Sequence, residues 1–264
     1  MIFYFTASGN SKYVADRLAY ATGEKTKSIT KCLQTGQLDF EIPSGENVGF
    51  VCPVYSWSLP SIVWDFFEKV HFKTAADPYF YYVTTYGTIS GDTGRAAEKE
   101  LLKKGFVLQA QYSVKMPDTW TVIFDLSDKE KVQKKNKKAE EAIDSVIAKV
   151  KEQAIGDYME RELPYFLAAI GRKKYEKDRQ TSHLHVDKEK CISCGLCAKD
   201  CPIKAIEMQE KHPVWLKEKC MMCLRCLHHC PVFAIQYDQK TQHHGQYVHK
   251  KFSRILYEKE HDLR

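Results

Sequence analysis

The chain has 264 residues, 44% of them hydrophobic and 28% charged, with a formal net charge of +6. That length accommodates one large and one small domain, and no apolar run reaches the roughly 20 residues that cross a bilayer as a helix. The Lys and Arg excess is dispersed among acids and cysteines instead of forming a stripe, which argues against nucleic-acid binding.

The opening Met1-Ile2-Phe3-Tyr4-Phe5 has neither a basic leader nor a small-residue cleavage site, so a cytoplasmic protein is expected. Ile2 to Phe5 reads as a strand. Tyr13, Val14, Arg17, Leu18 and Ala21 then recur at steps of three and four, as in a helix. Between them lies Thr6-Ala7-Ser8-Gly9-Asn10-Ser11. Strand, hydroxyl-rich loop and helix make a phosphate cradle: helix N-terminal N–H groups converge there, hydroxyls add donors, and Gly9 permits close backbone approach. Lys12 is not at a Walker-type position, so a terminal monophosphate is favoured over a nucleoside triphosphate.

Lys25 to Ile29 and Val48 to Pro53 read as strands, and Ile62 to Val70 as a helix introduced by Pro60. Tyr79 to Thr85 is a strand, Asp92 to Lys104 a helix, Phe106 to Lys115 a last strand, and Asp128 to Gln153 a long helix with a solvated lysine face. Five strands alternating with helices make an α/β, doubly wound parallel sheet. Ligands of such sheets sit beyond the carboxyl ends of the strands, at the switch point. The loops meeting there are Thr6 to Ser11, Val54 to Leu59 and Tyr86 to Gly94. Tyr55, Trp57 and Tyr86 offer flat faces to an isoalloxazine ring, and Gly87, Gly91 and Gly94 leave amides open to its polar edge. No Ser-His-Asp, Cys-His or paired-carboxylate arrangement stands out, so no catalytic residue is assigned. Cys32 and Cys52, far from the other thiols, read as buried and inert.

Pro164 and Gly171 bracket a short helix on which Tyr165, Phe166 and Ile170 would form a packing face. Two cysteine runs follow, C-I-S-C-G-L-C-A-K-D-C-P from Cys191 and C-M-M-C-L-R-C-L-H-H-C-P from Cys220, one spacing repeated at an offset of 29 residues. The repeat extends to Lys188-Glu189-Lys190 and Lys217-Glu218-Lys219 before the runs, and to Ala205-Ile206 and Ala234-Ile235 after them. In the spacing C-x2-C-x2-C-x3-C-P, three thiolates grip one cubane and the fourth reaches a different one. Cys191, Cys194, Cys197 and Cys230 would therefore hold one [4Fe-4S] cluster, and Cys220, Cys223, Cys226 and Cys201 the other. Zinc sites also use C-x2-C, but as two separated pairs; disulfides would require an oxidising compartment. His228 and His229 are left to solvent exposure or packing, and His243, His244 and His249 carry no required metal geometry. Residues 161 to 264 hold 20 Lys and Arg against 13 Asp and Glu, an excess that two clusters of about −2 each would largely offset. The tail from Gln242, with Tyr247, Phe252, Ile255 and Leu256, either lies across the domain junction or frays.

Residues 1 to about 155 resemble flavodoxin, whose phosphate loop T/S-x-T/S-G-N-T/S is matched by Thr6, Ser8, Gly9, Asn10 and Ser11. Residues 184 to about 238 look like a bacterial two-cluster ferredoxin. The whole is similar to the flavodoxin-ferredoxin fusion proteins of anaerobic bacteria and archaea. That resemblance implies noncovalent FMN, the strand order 2-1-3-4-5, and domains at 1–155 and 184–240, joined by a partly helical linker at 156–183 and followed by a tail at 241–264. Flavodoxins are strongly acidic around the flavin, whereas residues 1 to 160 carry 20 Lys and Arg against 21 Asp and Glu; this suits a flavin whose partner is attached covalently. The expected function is electron transfer, relayed between FMN and two clusters so that one- and two-electron steps are coupled. Protein donors and acceptors are the expected partners, with a homodimer as the default assembly. The alternative is an FMN-dependent reductase of a small organic substrate, with the clusters as its internal wire.

Overall fold

The structure is a computed structural model that describes residues 1–75 and 78–249. The short apolar strand β1 (Ile2–Tyr4) is followed by Gly9, whose φ of 99° turns the chain into α1 (Asn10–Thr22). β2 (Thr26–Ser28) leads into α2 (Ile29–Thr35), where the Ser28 hydroxyl accepts from the Lys31 amide and Gly36 ends the helix at φ 72°. Then come β3 (Asp39–Ile42), β4 (Val48–Pro53), α3 (Ser61–Lys69), β5 (His71–Thr74), β6 (Phe80–Tyr86) and α4 (Thr93–Leu102). β7 (Ala110–Lys115), α5 (Lys129–Lys151) and β8 (Gly156–Tyr158) follow.

Six strands form one parallel sheet in the order β2-β1-β4-β6-β7-β8. Counted by their order in the chain, the first five run 2-1-3-4-5; β8 adds a sixth beside β7. Strand side chains alternate between faces. On one face Ile2, Val51, Val83 and Tyr112 meet Val14 and Leu18 of α1 and Ile143 and Val150 of α5. The other is aromatic: Phe3 lies 5.2 Å from Phe66 of α3, and Phe50 4.9 Å from Phe67. β3 and β5 pair in parallel and bring Phe40 and Phe72 onto Phe3. Helices on both faces complete the flavodoxin-like α/β architecture.

After β8, α6 (Tyr165–Asp178) continues well past Gly171. Its buried face is Ala168, Gly171 and Tyr175, not Phe166 and Ile170, which are 64% and 58% exposed. The physical reason is Gly171, where a Cβ would stand 2.6 Å from the Ser56 carbonyl oxygen. A bare backbone lets the helix meet that turn, and the meeting fixes which side faces inward. The side chain of Tyr165 is not among those described.

Contacts divide the chain into two compact units, one of Met1–Thr6, Asn10–Pro117 and Lys134–Tyr175, the other of Ala7–Gly9, Asp118–Gln133 and the chain from Glu176 onward. The second unit contains β9 (Leu184–Val186), α7 (Leu196–Lys199), β10 (Ile206–Gln209), β11 (His212–Trp215), α8 (Arg225–His228) and β12 (Ile235–Tyr237). β9 pairs with β12 and β10 with β11, both antiparallel. Tyr247 of the tail is buried with Leu126 and Val132; Phe252, Ile255 and Leu256 lie outside the described residues. Among the described residues no helix is long and apolar enough to cross a membrane.

Candidate cluster cavities and flavin loops

The 29-residue repeat is carried into the backbone. Ser193 and Met222 have φ of 58° and 48°, Gly195 and Leu224 72° and 54°, Lys204 and Phe233 50° and 51°. The Cys201 and Cys230 amides donate to the Ala198 and Leu227 carbonyls, each at 3.4 Å. Left-handed residues before and after each short helix curl each run, and the strand pairing is crossed. β9 precedes the first run but pairs with β12 beyond the second, while β10 beyond the first pairs with β11 before the second. The fourth cysteine of each run is thereby carried to the other. Cys191, Cys194, Cys197 and Cys230 line one cavity, closed by Val186, Met208 and Ile235. Cys201, Cys220, Cys223 and Cys226 line a second, closed by Ile206, Trp215 and Leu224.

Each cavity has amide donors aimed at sulfur. Ala205 donates to Cys201 Sγ and Ala234 to Cys230 Sγ, both at 3.2 Å, and Met222 donates to Cys220 Sγ at 3.2 Å. Burial pushes the Cys197 thiol up to about 11 and that of Cys223 up to about 12, and it holds Cys226 well above the ordinary range. Neighbouring thiols of the same cavity add to the effect, Cys194 and Cys230 on Cys197, Cys220 and Cys201 on Cys223. Such thiols stay neutral until a positive charge enters; bound iron would supply it and draw the protons off. Among the described residues no three His, Cys, Asp or Glu side chains converge as they would on one metal ion.

In the first loop, Ser8, Asn10 and Ser11 are all buried. Ser11 Oγ lies 2.8 Å from Thr85 Oγ1, and Asn10 Nδ2 donates to the Pro117 carbonyl at 3.2 Å. Thr6 is half-buried, two residues beyond the end of β1. In the second loop, Tyr55 and Ser58 exchange two backbone bonds of 2.9 and 3.0 Å across Ser56 and Trp57, both left-handed at φ 44° and 68°. This two-residue turn matches type I′, which non-glycine residues adopt at some strain, and it leaves Trp57 38% exposed. Tyr55 packs edge-on to Phe5 and Tyr175. The third loop meets the second. Gly91, at φ 71°, leaves no room for a Cβ, which would stand 1.9 Å from the Trp57 carbonyl oxygen, and Asp92 N–H donates to that oxygen at 2.9 Å. Tyr86 is 3% exposed with its hydroxyl donating to Glu160 Oε2 at 3.2 Å. Gly87 is half-buried. The clearance at Gly94 is filled by the Gln111 side chain.

A family model described as the flavodoxin domain matches residues 1–145, more than half of the chain. The chain belongs to the flavodoxin family. A second model, the 4Fe-4S dicluster domain, matches residues 183–231, so an N-terminal flavodoxin domain is joined to a ferredoxin-type domain in one electron-transfer flavin and iron-sulfur protein. No curated protein matches the chain.

The flavodoxin domain implies FMN, and the loops fit it. α1 is thirteen residues long, so its first-turn N–H groups, which have no intrahelical partner, form a ready phosphate site just after Gly9. Trp57 is partly exposed, with part of its ring against Gly171. Two sets of polar contacts within the units carried no signal in the sequence. Arg172 of α6 pairs with the buried Asp92 and lies 3.5 Å from Ser58 Oγ. Around the first loop, the Ala7 carbonyl accepts from Arg225 and His229. Of His228 and His229, for which the sequence left exposure or packing open, His228 is buried and His229 half-buried, and desolvation lowers them to about 4 and about 3. Cys32 and Cys52 are likewise buried.

Proposed function

We propose that this flavodoxin-family chain relays electrons between one FMN and two [4Fe-4S] clusters, coupling two-electron exchange at the flavin to single-electron steps. The observation that supports it best is the grouping of eight thiols into two quartets, each drawn from both runs and each around its own cavity. When bound, FMN exchanges electrons singly or in pairs, and a cubane one at a time. Cys191, Cys194, Cys197 and Cys230 would ligate one cluster, and Cys220, Cys223, Cys226 and Cys201 the other. Four thiols standing around a cavity suit a cubane better than one zinc ion, which draws sulfur ligands in to about 2.3 Å. The Ala205, Ala234 and Met222 amides would stabilise the sulfurs as charge builds on them, which tunes potential.

At the flavin, the Ser8, Gly9 and Asn10 amides with the Thr6 and Ser11 hydroxyls would hold the phosphate. Trp57 would cover one ring face, with Tyr55, Tyr86, Gly87 and Gly91 shaping the surrounding wall. Protein donors and acceptors would exchange electrons with the bound groups. Anaerobic purification with metal and flavin counted per chain tests the reading. About eight iron atoms and one FMN are expected; zinc in place of iron, or about four iron, would overturn the two-cluster assignment. Turnover of a small organic substrate by the purified protein alone would turn the relay into a reductase.

A further inference from the structure

We infer that Arg225 and His229, residues of the second cysteine run, are positioning residues for the FMN phosphate loop. The inference rests on the flavin reading above. Within the second unit, Arg225 Nη1 and His229 Nε2 both lie 2.9 Å from the Ala7 carbonyl oxygen, and the His249 amide donates to the Ser8 carbonyl at 2.8 Å. In a trans peptide the C=O and N–H point in opposite directions. Holding the Ala7 carbonyl therefore turns the Ser8 N–H away from Arg225 and His229, and holding the Ser8 carbonyl turns the Gly9 N–H away from His249. Two successive amides are aimed to the side opposite their clamps, as in a backbone anion nest.

The clamp is itself braced. Arg225 Nη2 lies 3.6 Å from Asp200 Oδ2, with its side chain only 14% exposed. Gln246 Nε2 donates to the Leu227 and Cys230 carbonyls at 2.6 and 2.7 Å, and the Tyr247 amide donates to His228 Nδ1 at 3.3 Å. Arg225 and His229 thus sit on a short helical turn fixed from both ends. A charged guanidinium on a carbonyl makes a stronger bond than a neutral donor would, so Arg225 is the larger contributor.

The test compares FMN with riboflavin, which has the same ring and no phosphate. Full-length protein carrying its clusters is titrated with each flavin, following quenching of flavin fluorescence, with iron counted in every sample. Arg225→Met should weaken FMN on the order of tenfold, one such bond's worth, and His229→Leu somewhat less, each leaving riboflavin affinity unchanged. His229→Gln, whose side-chain amide can still donate, should restore most of the FMN affinity. Equal loss of both flavins would mean general damage and would overturn the inference, as would unchanged FMN affinity. Because the readout is the ratio of the two affinities, a variant that sheds some iron is still decisive. Wild-type protein that binds neither flavin would remove the flavin reading itself; wild-type binding with an unmoved ratio removes only this inference.

Discussion

Cys201 and Cys220 line the same cavity although they belong to different cysteine runs. Crossed strand pairing puts them together, and it makes iron loss non-local in sequence. Cys201→Ser should remove about four iron atoms, and adding Cys223→Ser should remove few more, because both act on one cluster. Adding Cys194→Ser to Cys201→Ser should instead remove nearly all iron. Iron counted per chain across the three variants decides it, since ligation within each run would reverse the last two results.

Gly91 is a clash site as well as a left-handed one. Gly91→Ala places a Cβ 1.9 Å from the Trp57 carbonyl oxygen, at φ 71°. We expect a loss of about 2 kcal/mol or more in denaturant unfolding, from left-handed strain plus overpacking, and weaker FMN binding with iron content unchanged. Gly105→Ala is the control: its φ is 83° but nothing lies within 4 Å, so only the conformational part, about 1 kcal/mol, should appear. Equal losses at the two positions would show that the contact with Trp57 carries no energy.

The sequence made the grouping of the thiols around two cavities legible because cysteine spacing encodes reach. It made five strands of the sheet legible through apolar runs alternating with helical periods. β8 was hidden because three residues show no alternation, and α2 because seven residues hold barely two turns. The face of α6 was misread for another reason. Phe166 and Ile170 look like a packing face to any count of apolar residues, whereas Gly171 signals burial only once the Ser56 carbonyl is known to approach it. Arg225 was silent because its partner Ala7 lies 218 residues away, beyond any local pattern.

Tyr86 predicts an alkaline stability difference. Burial first, and then Glu160, pushes its phenol up to about 12 from a model-peptide value of 10.0. Between pH 10 and 12 the unfolded chain has lost this proton and the folded chain has kept it, so the unfolded state binds fewer protons. Stability therefore falls as pH rises through that window. Tyr86→Phe removes the effect. Near neutral pH the variant should be about 1 kcal/mol less stable, having lost the Glu160 bond, and by pH 12 the gap should close or reverse, since two pH units correspond to about 2.7 kcal/mol. Taking the difference between the two proteins cancels the other buried tyrosines. Urea unfolding at a series of pH values tests it; a constant gap from pH 7 to 12 would refute the assignment.

The ion pair of Arg172 and Asp92 joins α6 to the loop that grips Trp57. The Asp92 side chain is 2% exposed, against 28% for Arg172, and Asp92 Oδ1 has no hydrogen-bond partner. The carboxylate thus depends on the guanidinium for most of its compensation. Arg172→Ala should destabilise by about 3 kcal/mol, the usual result of leaving a buried charge uncompensated. The double change Arg172→Ala with Asp92→Ala should be less destabilised than Arg172→Ala alone, because no charge is then stranded. Additive losses would mean that the two side chains act independently. Since the Asp92 amide also holds the Trp57 carbonyl, displacing Asp92 should loosen the turn that presents the indole. Trp57→Phe protein with and without Arg172→Ala separates that signal: the fluorescence change caused by Arg172→Ala should vanish once Trp57 is absent.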